Sequence, residues 1–131
     1  MIMLDTNICI YVLRYRPKNL LEKFNSAVDL SISSIVYAEL LFGIELSPKK
    51  VKKVRSEQLS RFMQHLDIIH WDEKAAFHYS QIRVRLQEKG NIIGNMDLLI
   101  GSHARSLDVQ LVTNNMREFK RIPGLKLTNW I

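Results

Sequence analysis

The sequence contains one cysteine, few glycines and prolines, and no long apolar run. A single cysteine among 131 residues, Cys9, excludes an intramolecular disulfide framework and a multi-thiolate zinc or iron–sulfur site. Only 5 Gly and 3 Pro beside 47% hydrophobic residues exclude collagen-like and low-complexity chains. The most apolar stretch, Ile32 to Leu46, contains Glu39 and Glu45 and falls short of the ~20 apolar residues of a membrane span. We therefore expect a globular cytoplasmic protein without a membrane segment.

Several well-known motifs are also missing. The sequence has no G-x-G-x-x-G, no G-x-x-x-x-G-K-[ST] and no H-E-x-x-H, and its four histidines lack the i, i+4 spacing of a helical zinc site. Asp5 stands where a secretory signal would carry its basic and apolar regions, so we do not expect secretion by that route. Without a repeat or linker, residues 1–131 are expected to form a single domain.

Positive charge is in excess. Nineteen Lys and Arg against 13 Asp and Glu give a net charge of +6. Such a surface favours a polyanionic partner such as nucleic acid, because phosphate contacts release counterions.

Short apolar runs alternate with segments of helical periodicity. The runs predict strands at Ile2–Leu4, around Leu30 and Ile32, and at Ile68–Ile69, Val109–Val112 and Leu125–Leu127. The periodicity predicts helices from about Ile8, over Asn19–Ala27, Ile35–Leu46, Lys49–Leu66 and Glu73–Lys89, and from Asp97 to about Leu107. We expect Ile68–Ile69 and the Ile35–Leu46 helix to be buried, and Phe42 to lie in the core, with an interface or groove as the alternative. The alternation predicts an α/β fold with a parallel sheet covered by helices on both faces.

Three acidic residues occupy unusual positions. Glu39 has Ile35, Val36 and Phe42 as helical neighbours, so its carboxylate needs a compensating metal ion or a buried salt bridge. Asp5 ends the first strand and Asp97 precedes a helix, so each is either a helix N-cap or a group facing the crevice at the strands' carboxyl ends.

Carboxylates gathered in one crevice repel each other unless a cation is present. Oxygen ligands suit Mg²⁺ or Mn²⁺. A divalent-metal site formed by Asp5, Glu39 and Asp97 is therefore our hypothesis from the residues alone.

Four segments carry a resemblance to a known family. They are Met3-Leu4-Asp5-Thr6-Asn7, Ser33-Ser34 with Ala38-Glu39-Leu40 and Gly43, Ile93-Gly94-Asn95-Met96-Asp97, and Leu111-Val112-Thr113-Asn114-Asn115 with Glu118-Phe119. In this order they resemble the PIN-domain ribonucleases, and more narrowly the VapC toxins of bacterial type II toxin–antitoxin pairs. The resemblance spans essentially the whole chain.

The resemblance implies a three-layer fold, a parallel β-sheet sandwiched by α-helices, that holds one or two Mg²⁺ or Mn²⁺ at the strands' carboxyl ends. It assigns the catalytic and metal-binding roles to Asp5, Glu39 and Asp97, with Thr6, Asn7 and Thr113 in support. Many PIN domains carry a fourth acidic residue where this chain has Asn115, so the number of metal ions stays open. Glu118 either reaches the site or lies on a surface helix.

The implied activity is metal-assisted hydrolysis of RNA that leaves 5′-phosphate and 3′-hydroxyl ends. Relatives of this kind cut transfer RNA, including the anticodon stem-loop of initiator transfer RNA. Candidate RNA contacts are Arg14, Arg16, Arg83, Arg85, Lys89, Arg105, Arg117 and Lys120. The family also implies a homodimer, higher toxin–antitoxin complexes, and a VapB-like antitoxin that blocks the site and supplies the operator-DNA contact.

Two other functions remain open. A non-catalytic PIN-like scaffold that binds RNA or a partner gains support from Asn115. A haloacid-dehalogenase-like phosphatase would use Asp5 as its nucleophile. That family needs a second acid two residues further on, where this sequence has Asn7.

Overall fold

A five-stranded parallel sheet organises the chain, and the computed structural model describes all residues from 1 to 131. The strand order is β3-β2-β1-β4-β5. The strands are β1 (Ile2–Leu4), β2 (Leu30–Ser33), β3 (Asp67–Ile69), β4 (Gln110–Val112) and β5 (Lys126–Thr128). Ile2 pairs with Leu30 on one side and with Gln110 on the other, which makes the N-terminal strand the central one.

Seven helices cover the two faces of the sheet. They are α1 (Thr6–Tyr15), α2 (Lys18–Ser26), α3 (Ser34–Glu45), α4 (Lys49–Met63), α5 (Glu73–Glu88), α6 (Asn95–Leu107) and α7 (Met116–Phe119). Right-handed crossovers place α1 to α4 on one face as the chain moves from β1 to β3. The return to β4 and β5 places α5 to α7 on the opposite face. The predicted three-layer α/β fold is confirmed.

The core lies against the central strands. Met3, Leu4, Ile32, Leu111 and Val112 have no solvent exposure and belong to a cluster of 19 buried apolar residues. Short strands buried on both faces read as continuous apolar runs, which is why Ile2–Leu4 and Leu111–Val112 were recognisable in the sequence. None of the helices combines the length and apolar content that crossing a bilayer requires.

Local signals fix where helices begin and end. Asp5, Ser33 and Asp72 are N-caps, and each side chain accepts a backbone N–H from the first turn of its helix. Gly90 ends α5 with a φ of +67°, a left-handed conformation that glycine adopts without steric cost. The cap predicted at Ser33 or Ser34 is therefore Ser33, and the predicted stop at Gly90 is confirmed.

Three predictions about burial are wrong. β3 lies at the edge of the sheet, and Ile68 is 37% exposed because no strand covers its outer side. In α3 only Val36 and Leu40 are buried. Phe42, expected in the core, is 63% exposed because it lies two residues, about 200° of helical rotation, from buried Leu40 and so faces away from the core that Leu40 and Ile44 contact.

Candidate active site

Asp5 lies at the carboxyl end of the central strand. Its side chain caps α1, where the Ile8 N–H donates to Oδ1 at 2.8 Å. The Thr113 hydroxyl, at the end of the neighbouring β4, donates to Oδ2. The carboxylate is only 1% exposed. The N-cap and the crevice-facing interpretations of Asp5 therefore both hold, since one oxygen serves each element.

Glu39 reaches the same region from α3. Its Oε1 accepts a hydrogen bond of 2.6 Å from the Thr6 hydroxyl, at the start of α1 and next to Asp5. Glu39 is half-buried and forms no ion pair, so the buried salt bridge considered for it is wrong. Thr6 thus ties α3 to the helix that Asp5 caps.

Asp97 lies in the first turn of α6, whose N-cap is Gly94, so the N-cap interpretation of Asp97 is wrong. The Asn115 amide donates to Asp97 Oδ2 at 3.1 Å and to Glu118 Oε2 at 3.2 Å. The Asn115 backbone N–H donates to Thr113 Oγ1 at 2.8 Å. Asn115 therefore connects Asp97, Glu118 and the threonine that holds Asp5.

The carboxylates influence one another's protonation. Burial, a hydrogen bond shared with Glu118 and repulsion by Glu118, Asp5 and Glu39 raise the pKa of Asp97 to about 7. Hydrogen bonds from Asp97 and Asn115 lower the pKa of Glu118.

Asp5 is shifted in the same direction as Asp97. Burial raises its pKa, and the charge of Glu39 adds to that rise against hydrogen bonds from Thr113 and the Ile8 N–H. A crevice with four acidic side chains, two of which are harder to ionise than usual, favours a bound cation.

The donor set fits Mg²⁺ or Mn²⁺ by chemistry, because every available ligand is an oxygen. No group of three or more His, Cys, Asp or Glu side chains is already placed to coordinate one ion. Mg²⁺ usually keeps several waters and takes only one or two carboxylates directly, so it does not require such a cage. Cys9 does not contribute, since it is buried in the core and burial raises the pKa of its thiol.

The remaining predicted site residues lie at different distances from the four carboxylates. Asn7 is exposed and its side chain makes no hydrogen bond, so it offers Asp5 no second acid or partner. Arg117 lies in α7 beside Glu118, and Arg14 lines a cavity that includes Glu39. Arg16 ends α1 about 15 Å along the helix from its first turn.

The other predicted RNA contacts lie on α5, α6 and the end of α7. Arg83 donates to the Tyr79 hydroxyl at 2.7 Å and lies over its ring. Lys89 ends α5 at the loop that leads to α6 and Asp97. Arg85, Arg105 and Lys120 make no contact with the four carboxylates.

Two cationic residues near the site did not emerge from the sequence. Arg121 helps to lower the pKa of Glu118, and its i+3 spacing from Glu118 was the available signal. Arg55 lines the cavity beside Glu39. Its position depends on how α4 packs against α1 and α3, which the periodicity of α4 alone does not reveal.

A three-layer α/β fold with acidic residues gathered at the carboxyl ends of its strands defines the class of this protein. The family model described as PIN domain matches residues 2–125. "Ribonuclease VapC2" of Rickettsia felis is 47% identical over 131 residues, covering 98% of this chain and 96% of that protein. "tRNA(fMet)-specific endonuclease VapC" of Salmonella typhimurium is 40% identical, and the match covers 98% of this chain and 96% of that protein.

Solved structures agree with these relatives. A chain in the crystal structure of VapBC2 from Rickettsia felis, bound to a DNA fragment from their promoter, superposes with a TM-score of 0.94 at 44% identity, and both chains are covered completely. A chain of the DNA-bound VapBC from Salmonella typhimurium superposes with a TM-score of 0.95 at 38% identity, and the match covers 99% of this chain and 98% of that chain. The chain therefore belongs to the PIN-domain family and, within it, to the VapC ribonucleases.

Proposed function

We propose that this protein is a metal-dependent endoribonuclease toxin that hydrolyses RNA phosphodiester bonds and is neutralised by a VapB-like antitoxin. The observation that carries the proposal is the grouping of four acids: hydrogen bonds through Thr113 and Asn115 join Asp5, Asp97 and Glu118, and Glu39 is bonded to Thr6, the residue that follows Asp5. These residues come from distant parts of the chain. A fold that brings four acids together at a cost in electrostatic repulsion is typical of a catalytic site.

Asp5 and Asp97 would hold the Mg²⁺ or Mn²⁺, with Glu39, Glu118 and the Asn115 amide oxygen as further oxygen donors for one or two ions. When bound, such an ion polarises the phosphate and lowers the pKa of water. The N-termini of α1 and α6, where Asp5 and Asp97 lie, add positive potential that favours both the carboxylates and a phosphate.

The protein's own residues hold these groups in position. The Ile8 N–H and the Thr113 hydroxyl fix the carboxylate plane of Asp5. The Thr6 hydroxyl donates to Glu39 Oε1, which leaves Oε2 to accept a proton from an attacking water. No histidine hydrogen-bonds to any of these carboxylates, and His103 instead pairs with buried Ser33 at 2.8 Å. We therefore expect 5′-phosphate and 3′-hydroxyl ends, not a cyclic phosphate.

Transfer RNA is the proposed substrate class, with the anticodon stem-loop of initiator transfer RNA as the first target to test. The name of the Salmonella typhimurium relative supports this choice. The net charge of +6 supports phosphate binding, and Arg14, Arg55, Arg117 and Arg121 are cationic side chains close to the carboxylates.

The proposed partners are a VapB-like antitoxin and a second copy of the chain, in a larger complex that contacts operator DNA only through the antitoxin. The VapBC complexes among the solved structures support the antitoxin. Exposed apolar side chains support the homodimer; they are Leu41, Phe42, Leu46, Phe77 and Val84. We place the activity in the cytoplasm, where its RNA substrate is found.

A catalytically weak RNA-binding scaffold is the second candidate, and one observation favours it. Asn115 presents its N–H groups, not a carboxylate, to Asp97 and Glu118. Its amide offsets repulsion between those two acids without the help of a cation. A phosphatase has no comparable support, because Asn7 supplies neither an acid nor a contact to Asp5.

The deciding experiment incubates antitoxin-free protein with total transfer RNA in Mg²⁺ or Mn²⁺ and maps new RNA ends. We expect discrete cleavage that EDTA abolishes and that Asp5→Asn or Asp97→Asn lowers at least about 100-fold, since even groups that only support metal ligands contribute 10–100-fold. The same exchange at an exposed acid of β3, Asp67→Asn, is the matched control and should cleave normally. RNA binding without cleavage would favour the scaffold.

A further inference from the structure

A cavity of about 320 Å³ opens beside Glu39, between α1, α3 and α4. Buried Leu40 and Leu59 form its apolar floor, and Arg14, Arg55 and Gln58 stand among its polar lining. Binding sites for small organic groups combine an apolar surface with a few polar side chains in this way. The cavity therefore has the composition of a site for a partly apolar group that also carries negative charge.

The cavity is continuous with the candidate active site. Glu39 belongs to both, and its partner Thr6 begins α1. Thr6, Ile10 and Arg14 follow one another at i, i+4 and i+8, so they lie along one face of α1. This face extends about 12 Å from the carboxylates. A chain that is bound at the carboxylates can continue along α1 into the cavity.

The two arginines are not engaged elsewhere in the protein. The ion pairs of the chain join Met1 to Asp29, Lys52 to Glu45 and Lys126 to Asp108, and none involves Arg14 or Arg55. Both guanidinium groups are exposed and make no side-chain hydrogen bond. Guanidinium groups match phosphate oxygens in charge and in geometry, so an anionic occupant is indicated.

Gly43 keeps the cavity open. It lies one helical turn beyond Glu39 in α3, and a Cβ built at this position meets no atom within 4 Å. Its φ is not positive, so the backbone accepts any residue. Since glycine is unfavourable in the middle of a helix, the position is better explained by the open space than by the stability of α3.

We propose that this cavity is a nucleotide subsite for the RNA substrate. It takes the nucleotide next to the scissile phosphate, with the base against Leu40 and Leu59, the adjoining phosphate on Arg14 and Arg55, and the Gln58 amide at the base edge. RNA is favoured over an acidic peptide because Glu39 borders both the cavity and the proposed catalytic site. In the proposed function the RNA backbone is bound at that site, so the neighbouring nucleotide lies beside the cavity. The inference rests on that function.

The test compares RNA binding by Gly43→Leu, which fills the cavity, with Gly43→Ala, which does not. A labelled hairpin with the sequence of the initiator transfer RNA anticodon stem-loop serves as the probe, and an Asp97→Asn background keeps it intact. We expect Gly43→Leu to weaken binding about tenfold or more, as the loss of a charge-assisted phosphate contact would, and Gly43→Ala to bind like its parent. Thermal unfolding confirms that both variants are folded.

A second pair of variants does not depend on the helix accepting leucine. Arg55→Ala, inside the cavity, should weaken binding by a similar factor, while Lys53→Ala, on the same helix but outside the cavity, should have little effect. If Gly43→Leu and Arg55→Ala bind the hairpin normally but lose the antitoxin, the cavity is an antitoxin site and the proposal is overturned. If wild-type protein cleaves no RNA while the binding differences persist, the ribonuclease function fails, and the cavity is left as an RNA-binding site of a protein that does not cleave.

Discussion

At the scale of single residues, hydroxyl and amide groups hold the acids in place. Thr6, Thr113 and Asn115 each donate to a carboxylate, and each side chain is short, so few alternative rotamers compete with the bonded one. A buried carboxylate that loses a donor must be protonated or become less stable. The arrangement of the acids is therefore sensitive to changes that leave the acids themselves unchanged.

Thr113→Val tests this dependence. Valine has nearly the same shape but cannot donate to Asp5 Oδ2, so we expect the protein to lose about 1–3 kcal/mol of stability. Ribonuclease activity should fall about 10–100-fold, as it does when a metal ligand loses its supporting partner. Urea unfolding and single-turnover cleavage measure the two effects. Thr113→Ser keeps the hydroxyl and should restore both; equal losses in both variants would contradict a role for the hydrogen bond.

Asp97 gives a pH dependence of stability in metal-free protein. Its pKa is about 7 when folded and 3.8 as the ordinary value, so over that interval the folded state binds more protons than the unfolded state. Stability therefore falls as pH rises from 3.8 to about 7 and then levels off. Asp97→Asn should flatten this profile. Since Asp97 is half-exposed, the substitution should raise the free energy of unfolding by only about 1 kcal/mol above pH 7.

Urea unfolding in EDTA at several pH values measures this profile. Asp67→Asn, which changes an exposed acid of β3, is the control and should retain the wild-type slope. Parallel profiles for wild-type and Asp97→Asn protein would show that repulsion at Asp97 does not influence folding.

At the scale of helices and strands, periodicity and caps revealed most of the architecture. Helix α5 was predictable because apolar spacing and Gly90 agree on its extent. The four-residue α7 was not predicted as an element, because a single turn shows no repeat. Burial of β3 was mispredicted because an edge strand and a central strand can share the same short apolar sequence, and strand order decides between them.

The acidic residues of the site were predictable from the sequence, but the contacts between them were not. Asp5 was identifiable because a carboxylate at the end of an apolar run is unusual, and Glu39 because it interrupts an apolar helix. The bridge from Asn115 to Asp97 and Glu118 was not, because it depends on side-chain geometry between α6 and the segment after β4. The catalytic and metal-binding roles assigned to these residues stay predictions until cleavage and metal binding are measured.

At the scale of the whole molecule, the proposed homodimer can be tested at the exposed apolar residues of α3. Phe42→Glu should convert a dimer to a monomer in sedimentation experiments, because a carboxylate cannot be buried in an apolar interface without a partner. The fold should be unaffected, since Phe42 is 63% exposed. Val28→Glu, at a position 83% exposed outside α3 and α5, should leave the dimer intact. A dimer that survives Phe42→Glu would place the interface elsewhere.

The pairing of the first strand with the fourth also determines when the site can exist during protein synthesis. Asp5 and its partner Thr113 are 108 residues apart, and β1 lies between β2 and β4 in the sheet. A nascent chain still lacking β4 has neither the hydroxyl that holds Asp5 nor the amide that holds Asp97. The ribosome therefore completes nearly the entire polypeptide before the acids can assemble, and shorter chains released early cannot form the site.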